Sequence, residues 1–563
     1  MEQFEIIIDN QKVLVNPNQT ILEAAKTIGI TIPTLCYLKD INEPASCRVC
    51  VVEVEGARNL VTACNTKVRP NMVVKTASKR VLEARKTTIE LLLSNHNKNC
   101  LSCSRNQNCT LQKLSKDFLC NADRFTGEVT ESKIDFSSPS IIRDQSKCIL
   151  CGRCISVCSK RQAVDAIGKI GRGFNTSIGC AFNKNLDEST CVGCGQCIAV
   201  CPTGALREAN DMYKVLNFLN DEAVETVVQV APSVRVALAE EFGAEIGTFC
   251  EGKMVSALRK LGFDHVYDVN IAADFTIVEE SKELLDRITN KTAPLPMFTS
   301  CCPGWYKFAE EFAPELIPNI STCKSPNEML GSLVKYHFEK QNKKVKIVSI
   351  MPCTAKKHEI RRNGEIDANL TTRELAELIK YKNIDFNSLP DEKFDTPFGT
   401  YSGAALIFGA TGGVMEAALR TANEHLNKTK QPADIEIVRN SIGRKEVEIK
   451  TDTITLKVAI VNGLSNAKEL IRDIREGKAD FHFVEVMACP GGCVNGGGQP
   501  LVDYSKTPLS EVIAKRTAPL YKEDSNNSIR ASHENKAVFD VYKNLLNNDE
   551  KLIHKLLHIH GTK

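Results

Sequence analysis

At 563 residues, 42% apolar and 25% charged, the chain has a globular composition and is too long for one hydrophobic core, so about three to five domains are expected. A formal net charge of +3 without any long single-sign block argues against a nucleic-acid binder and against a polybasic membrane anchor. No apolar run approaches the roughly 18 residues of a transmembrane helix, and MEQFEIIIDN has neither a basic nor an apolar leader region, so a mature, soluble, cytoplasmic protein is expected.

In chain order, FEIII (4–8) and KVLV (12–15) read as a strand pair. Thr20 to Ile28 reads as a helix with a capping box, Thr20 with Glu23, stopped by Gly29. A cysteine loop and the strand VVEVEG complete a small α+β module ending near residue 78, and Lys79 to Leu93 reads as a helix leading to a second cysteine group. Residues 121–140, rich in Ser, Thr, Asp and Glu, read as a connection. From 141 to 208 two C-x2-C-x2-C-x3-C segments recur 43 residues apart.

Beyond about residue 209 apolar strands alternate with longer amphipathic segments: VETVVQVAP then VRVALAEEFG, PLPMFTS then GWYKFAEEFAPELI, VKIVSIMP, and finally DFHFVEVMA. This alternation predicts α/β organisation with largely parallel sheets, whose ligands lie beyond the carboxyl ends of the strands. The predicted fold is thus α+β and α/β multidomain. A 2Fe-2S ferredoxin-like module (1–78), a 4Fe-4S module with one histidine and three cysteine ligands (79–125) and a module for two 4Fe-4S clusters (126–208) precede a large α/β catalytic domain (209–563).

Seventeen of the 24 cysteines precede residue 202, clustered as C-x2-C arrays, which favours iron-sulfur ligation in a reducing compartment over disulfides. Cys36, Cys47, Cys50 and Cys64 suit a 2Fe-2S cluster, with structural zinc as the plainer alternative. His96, Cys100, Cys103 and Cys109 taken alone fit zinc on three cysteines beside an ordinary histidine equally well, but between two iron-sulfur modules they favour a 4Fe-4S cluster with one imidazole ligand; a neutral imidazole in place of a thiolate raises the cluster potential. The repeat follows the bacterial two-cluster pattern, in which the fourth cysteine of each run serves the other cluster. Cys148, Cys151, Cys154 and Cys201 are then one set, and Cys191, Cys194, Cys197 and Cys158 the other. Fully ligated clusters hold single electrons and perform no substrate chemistry, so such a wire needs a terminus in the second half.

Three loops there carry the remaining grouped cysteines: TSCCPGW (299–305), MPCTAKKHE (351–359) and EVMACPGGCVNGGGQP (485–500). Cys302, Cys353, Cys489 and Cys493 suit a further 4Fe-4S cluster, and adjacent residues of an extended segment face opposite ways, which leaves one thiol of the pair over. With these loops the chain resembles, over nearly its whole length, the monomeric ferredoxin-linked iron-only ([FeFe]) hydrogenases of clostridial type that carry the full set of accessory clusters. The resemblance implies an H-cluster: a 4Fe-4S unit on those four cysteines, joined through Cys493 to a two-iron subsite carrying CO, cyanide and azadithiolate. It implies reversible reduction of protons to H2, ferredoxin or flavodoxin as electron partner, and maturation proteins that supply the subsite.

The same resemblance assigns roles to neighbours. Lys356 faces a cyanide ligand; Met351 and Met487 wrap the subsite in apolar surface; Ala231, Pro232 and Ser233 touch the dithiolate and a cyanide; Ser325 and Phe408 match more loosely. A proton relay runs from Cys301 through Glu280, Ser321 and Glu283 to Arg287. Glu280 and Glu283 stand three apart in EESKELLDR, which reads as a helix with both on one face. Asn327 stands where a longer glutamine is frequent. Cys120, Cys180, Cys250 and Cys323 read as buried free thiols. Lys67, Arg69, Lys75, Lys79, Arg80, Arg85 and Lys86 form a basic stretch able to steer an acidic ferredoxin. An iron-sulfur subunit of a respiratory NADH dehydrogenase resembles residues 1–210 but lacks the three later loops. An assembly scaffold of related fold has no use for the Cys301 relay. A hydrogen sensor is expected to alter the relay thiol or to add a signalling domain.

Overall fold

The computed structural model describes residues 3–426, 434–439, 442–504 and 506–559. The chain forms two compact units, one of Met1–Arg161, Asp165–Ser189 and Val200–Arg207, the other of Gln162–Val164, Thr190–Ala199 and Glu208–Lys563.

In the first unit, strand alternation places Ile6, Ile8, Val13 and Val15 inside while Glu5 and Lys12 face outward. Phe4–Ile8 pairs antiparallel with Gln11–Val15 and parallel with Val73–Lys75, in a five-stranded sheet completed by Val51–Val54 and Val61–Thr62. Helix Ile21–Thr27 begins at the expected capping box, and its Ile21, Ala24 and Ala25 close the core against that sheet. Each such fully buried Val or Ile contributes about 1.5–3 kcal/mol. Helices Lys79–Ser94 and Thr110–Asp117 follow, then a three-stranded sheet ordered Leu206–Glu208, Ile141–Asp144, Ile134–Asp135.

The second unit is built on two four-stranded sheets. The first runs His265–Asp268, Glu225–Val230, Val345–Met351, Ala368–Thr371, with every neighbouring pair parallel. Its two central strands are buried on successive residues, Thr226 to Val230 and Ile347 to Met351, as expected of a parallel sheet covered on both faces. The second runs Met297–Phe298, Phe483–Met487, Thr455–Asn462, Arg444–Lys450, parallel except for the last pair. The segment VRVALAEEFG forms 3-10 turns, Pro232–Val236 and Leu238–Phe242, in place of a longer helix.

The 22-residue helix Val269–Asn290 starts where the Asp268 carboxylate accepts from the Asn270 N–H. Its first half, Val269 to Ile277, is buried on every side, packed between helices Pro326–Glu339 and Gly413–Leu426. Its second half carries Glu279, Glu280, Glu283 and Arg287. Among the described residues no helix is long and apolar enough to cross a membrane.

Candidate active site

Each loop of interest leaves the carboxyl end of a parallel strand. Ala231 follows Glu225–Val230, Cys301 follows Met297–Phe298, Cys353 follows Val345–Met351, and Cys489 follows Phe483–Met487. Backbone contacts draw them together: Gly498 donates to the Pro352 carbonyl at 2.8 Å, and Gln499 Nε2 to the Ser233 carbonyl at 2.9 Å. The loop 485–500 needs its glycines for this approach. A Cβ on Gly496 would stand 2.1 Å from the Pro352 oxygen, and Gly492 has φ +94° with a Cβ position 2.7 Å from the Thr411 nitrogen.

Cys302, Cys353, Cys489 and Cys493 come from three loops, and each of the last three is raised by its thiol neighbours in addition to burial. Four sulfur donors gathered between close-approaching backbones fit an iron-sulfur centre. Cys194 is also near enough to Cys489 to raise it, while Gly193 accepts from Thr354 Oγ1 at 2.6 Å and Gln196 Nε2 donates to the Asn495 carbonyl at 3.0 Å. The segment of Cys191, Cys194 and Cys197 is therefore seated against the same loops.

Cys302 Sγ accepts from the Ala488 N–H at 3.4 Å; Cys301 instead packs with the apolar group that contains Phe408 and Met487. Burial and the neighbouring Glu280 push the Cys301 thiol well above its usual range. Lys356 is buried, its Nζ 2.8 Å from both Glu359 oxygens and 3.2 Å from the Cys301 carbonyl. Burial pulls the ammonium down, but Glu359 outweighs it, so Lys356 stays charged. Met351, Met487, Ala231, Pro232, Ser233 and Phe408 are all buried around these loops. Ser325 acts as the N-cap of Pro326–Glu339, accepting from the Glu328 N–H. The shorter Asn327 is fully engaged: Nδ2 donates to Glu359 at 3.3 Å and Oδ1 accepts from Gln229 at 2.8 Å.

On the acidic side, Glu280 is 1% exposed, and burial together with the charge of Glu283 pushes its carboxyl up to about 8. Ser300 Oγ donates to Glu280 Oε1 at 3.4 Å, and Oε2 makes no well-formed hydrogen bond. Ser321 Oγ donates to Glu283 Oε2 at 2.9 Å, and the buried Arg287 clasps Glu283 Oε1. Sequence reasoning missed Ser300, although it lies inside TSCCPGW, and missed Glu359, the partner of Lys356. It also missed Glu328, wholly buried with both carboxyl oxygens unpartnered and its pKa raised to about 8 by burial and Glu359.

In the first unit Cys148, Cys151, Cys154 and Cys201 line one cavity, so the fourth cysteine of the second run does meet the first three of the first. Cys36, Cys47, Cys50 and Cys64 are all buried, with the thiols of Cys36 and Cys47, and of Cys50 and Cys64, within hydrogen-bonding reach of each other. The buried His96 Nδ1 has no hydrogen-bond partner, and burial lowers its pKa to about 4, which keeps the imidazole neutral as a ligand must be. Cys180, Cys250 and Cys323 are buried, whereas Cys120 is half-buried. Arg85 leaves the expected basic face: it is buried, its guanidinium donating to the Val51 carbonyl at 2.8 Å.

Residues 224–497 match the family described as iron only hydrogenase large subunit, C-terminal domain, and 510–563 match iron hydrogenase small subunit. Upstream, 1–79 match a 2Fe-2S iron-sulfur cluster binding domain, 85–122 the NADH-ubiquinone oxidoreductase-G iron-sulfur binding region, and 144–205 a 4Fe-4S dicluster domain. The chain is 46% identical to the NADP-reducing hydrogenase subunit HndD of Solidesulfovibrio fructosivorans, over 100% of its own length and 99% of the relative's. It is 41% identical to iron hydrogenase 1 of Clostridium pasteurianum, over 99% and 100%. A solved variant of [FeFe]-hydrogenase HydA1 from Chlamydomonas reinhardtii superposes with a TM-score of 0.56 at 39% identity, covering 62% of this chain and 98% of that one.

Proposed function

The chain belongs to the iron-only hydrogenase family, as a hydrogenase with accessory iron-sulfur domains, and from that premise we propose that it interconverts protons and H2 at an H-cluster fed by four accessory clusters. The observation that carries the reading is the convergence of five thiols from three strand ends, four gathered together and the fifth, Cys301, near enough to the buried Glu280 to feel its charge.

Cys302, Cys353, Cys489 and Cys493 would hold the 4Fe-4S part, with Cys493 linking it to the two-iron part. When bound, the cofactor supplies the two-electron chemistry 2H+ + 2e- = H2. The protein handles protons, exclusion of water and electron entry. Cys301 holds a proton at Sγ in a site sealed by Met351, Met487 and Phe408. Glu280, with a pKa of about 8, is largely neutral near pH 7 and so both gives and takes a proton there. Ser321, bonded to Glu283, continues the path outward, and Arg287 fixes the Glu283 carboxylate at the far end. Ser300 orients Glu280 from the side. Lys356, charged and held by Glu359, offers a cation to an anionic ligand in a dry site. Ala231, Pro232, Ser233 and Ser325 shape the walls.

Cys36, Cys47, Cys50 and Cys64 would hold a 2Fe-2S cluster, and His96, Cys100, Cys103 and Cys109 a 4Fe-4S cluster. Two further 4Fe-4S clusters would be held by Cys148, Cys151, Cys154, Cys201 and by Cys191, Cys194, Cys197, Cys158, in modules 1–78, 79–125 and 126–208 ahead of the catalytic domain 209–563, and these groups would supply one-electron carriers. The donor is a cytoplasmic ferredoxin or flavodoxin. A second reading, favoured by the 46% identity to an NADP-reducing hydrogenase subunit, makes the chain the hydrogen-active subunit of a complex whose other subunits reduce NADP. Infrared spectroscopy of the matured enzyme with viologen-driven H2 assays tests the core claim. CO and cyanide bands with H2 evolution are expected; their joint absence refutes it. NADP reduction by the isolated chain is expected to be nil under either reading, and co-purifying subunits would favour the second.

A further inference from the structure

Next to the outer relay acid lies a set of donors that the proton path does not use. Cys323 Sγ is 4.0 Å from His558 Nδ1, and a Glu283 carboxylate oxygen lies within 4.8 Å of both. Thr322 Oγ1 stands between them, 2.9 Å from His558 Nδ1 and 3.1 Å from Glu283 Oε2. The fold fixes this arrangement from two sides. Thr322, Cys323 and Lys324 pair with the end of the chain: Ile559 donates to the Thr322 carbonyl and Lys324 to the Leu557 carbonyl, both at 2.8 Å. Glu283 comes from helix Val269–Asn290.

The imidazole is oriented as in metal sites. His558 Nε2 lies 3.3 Å from Glu279 Oε2, and Glu279 is in turn held by the Tyr542 hydroxyl. A carboxylate on Nε2 favours a proton there and presents Nδ1 to Thr322 Oγ1 and Cys323 Sγ, the outer-sphere arrangement by which carboxylates prepare histidines for metal. No such preparation is needed for a histidine that only packs.

We propose that Cys323, His558 and Glu283, with Thr322 Oγ1 or water in the fourth place, bind a borderline divalent cation of the zinc class, and that the bound cation shuts the proton relay by occupying Glu283. One thiolate, one imidazole and one carboxylate match zinc in kind, and hard cations such as magnesium reject sulfur. Zinc bonds of about 2.3 Å to sulfur and about 2.0 Å to nitrogen set a tetrahedral S···N edge of about 3.5 Å, so the pair must close by about half an ångström. The Glu283 side chain is 14% exposed, which gives the cation its way in. Burial holds the Cys323 thiol in its protonated form, so binding exchanges one thiol proton, released to solvent, for the metal-sulfur bond, with no redox change. Arg287 remains on Glu283 Oε1. Only the inhibition rests on the relay reading; the binding does not.

The test uses the matured holoenzyme, buffered free Zn2+, equilibrium dialysis with metal analysis, and viologen-driven H2 evolution. Uptake of one added zinc per chain is expected, with turnover falling as the site fills. Cys323→Ala and His558→Gln are expected to weaken that uptake by about tenfold or more. Their zinc-free turnover and iron-sulfur absorbance should equal the parent's, and Cys323→Ser, which keeps the shape, should bind as weakly as Cys323→Ala. Absence of the added zinc, or undiminished uptake and inhibition in Cys323→Ala, overturns the site. Zinc uptake lost in the variants but without effect on parental turnover supports the site and instead overturns Glu283 as the outer relay acid.

Discussion

Glu280→Gln probes the relay at its most perturbed carboxyl. Burial and the charge of Glu283 raise Glu280 from 4.5 to about 8. A folded pKa above the unfolded one means that the fold keeps a proton the unfolded chain releases. Stability from Glu280 is therefore whole below about pH 4.5 and drains away as the pH rises toward 8. At about 1.4 kcal/mol per tenfold, the gap costs the native state about 3 kcal/mol at pH 7. Glutamine has no proton to lose and keeps an amide oxygen for Ser300, so it escapes this loss. Relative to its difference from the parent at pH 4.5, the variant should gain about 3 kcal/mol by pH 7. With an unfolding entropy of about 2 cal/mol/K per residue over the larger unit, that is about 4 °C in Tm. Turnover should move the other way, down by about 10²- to 10⁴-fold, because an amide neither gives nor takes a proton. Thermal unfolding across pH, paired with H2 evolution and uptake on the same preparations, reads both. A melting difference that ignores pH refutes the buried-acid argument, and turnover within about twofold of the parent refutes the relay.

Cys301→Ala should load its iron normally yet turn over almost nothing, whereas Cys302→Ala should lose iron; full activity in Cys301→Ala would end the division into one ligand and one proton carrier. Glu283→Gln removes a charge that raises Glu280, so the alkaline limb of the turnover profile should move to lower pH; an unmoved limb would show that Glu280 does not set it. His96→Cys replaces a neutral donor by a thiolate and should lower the potential of that cluster in an EPR-monitored redox titration; an equal or higher potential would remove His96 as a ligand. Lys67→Glu, Arg69→Glu and Lys75→Glu together, all on exposed positions, should raise KM for an acidic ferredoxin and flatten its salt dependence while leaving viologen activity alone. An unchanged ferredoxin KM would move the docking face elsewhere.

The readable part of the sequence was local chemistry. Cysteine spacing within a loop announces a donor set whatever the fold around it, and the Thr20 and Glu23 box started its helix where expected. Strand-then-loop order placed Cys301, Cys353 and Cys489 at carboxyl ends before any sheet was known. What stayed hidden depended on tertiary packing. Only EESKELLDR suggested the helix Val269–Asn290, because its first half is buried on all sides, Asn270 and Asp274 included, and shows no 3.6-residue apolar period. Lys356, in a stretch as polar as KKHE, is marked as buried by no charge pattern, only by the family resemblance, and Glu359 one turn on holds it there. Arg85 sits in a run of basic residues yet turns inward to the Val51 carbonyl, which no charge pattern reveals.

The adjacent thiols show how a local rule becomes a division of labour. Cys302 sits in extended backbone, φ -100° and ψ 105°, just before Pro303 opens a helix. One step along such a chain reverses the side chain. Cys302 is thereby sent toward Ala488 and the other three thiols, on the side where Cys194 approaches, while Cys301 is sent toward Phe408, Met487 and Glu280. Under the proposed function, the electron path and the proton path thus arrive at neighbouring residues from opposite faces of one strand end. A one-residue insertion between Met297 and Cys301 would exchange the two faces, leaving a sulfur ligand in the acid channel and a protonated thiol among the cluster donors. That register, more than the mere presence of two cysteines, is what the short strand Met297–Phe298 and its pairing with Phe483–Met487 hold in place.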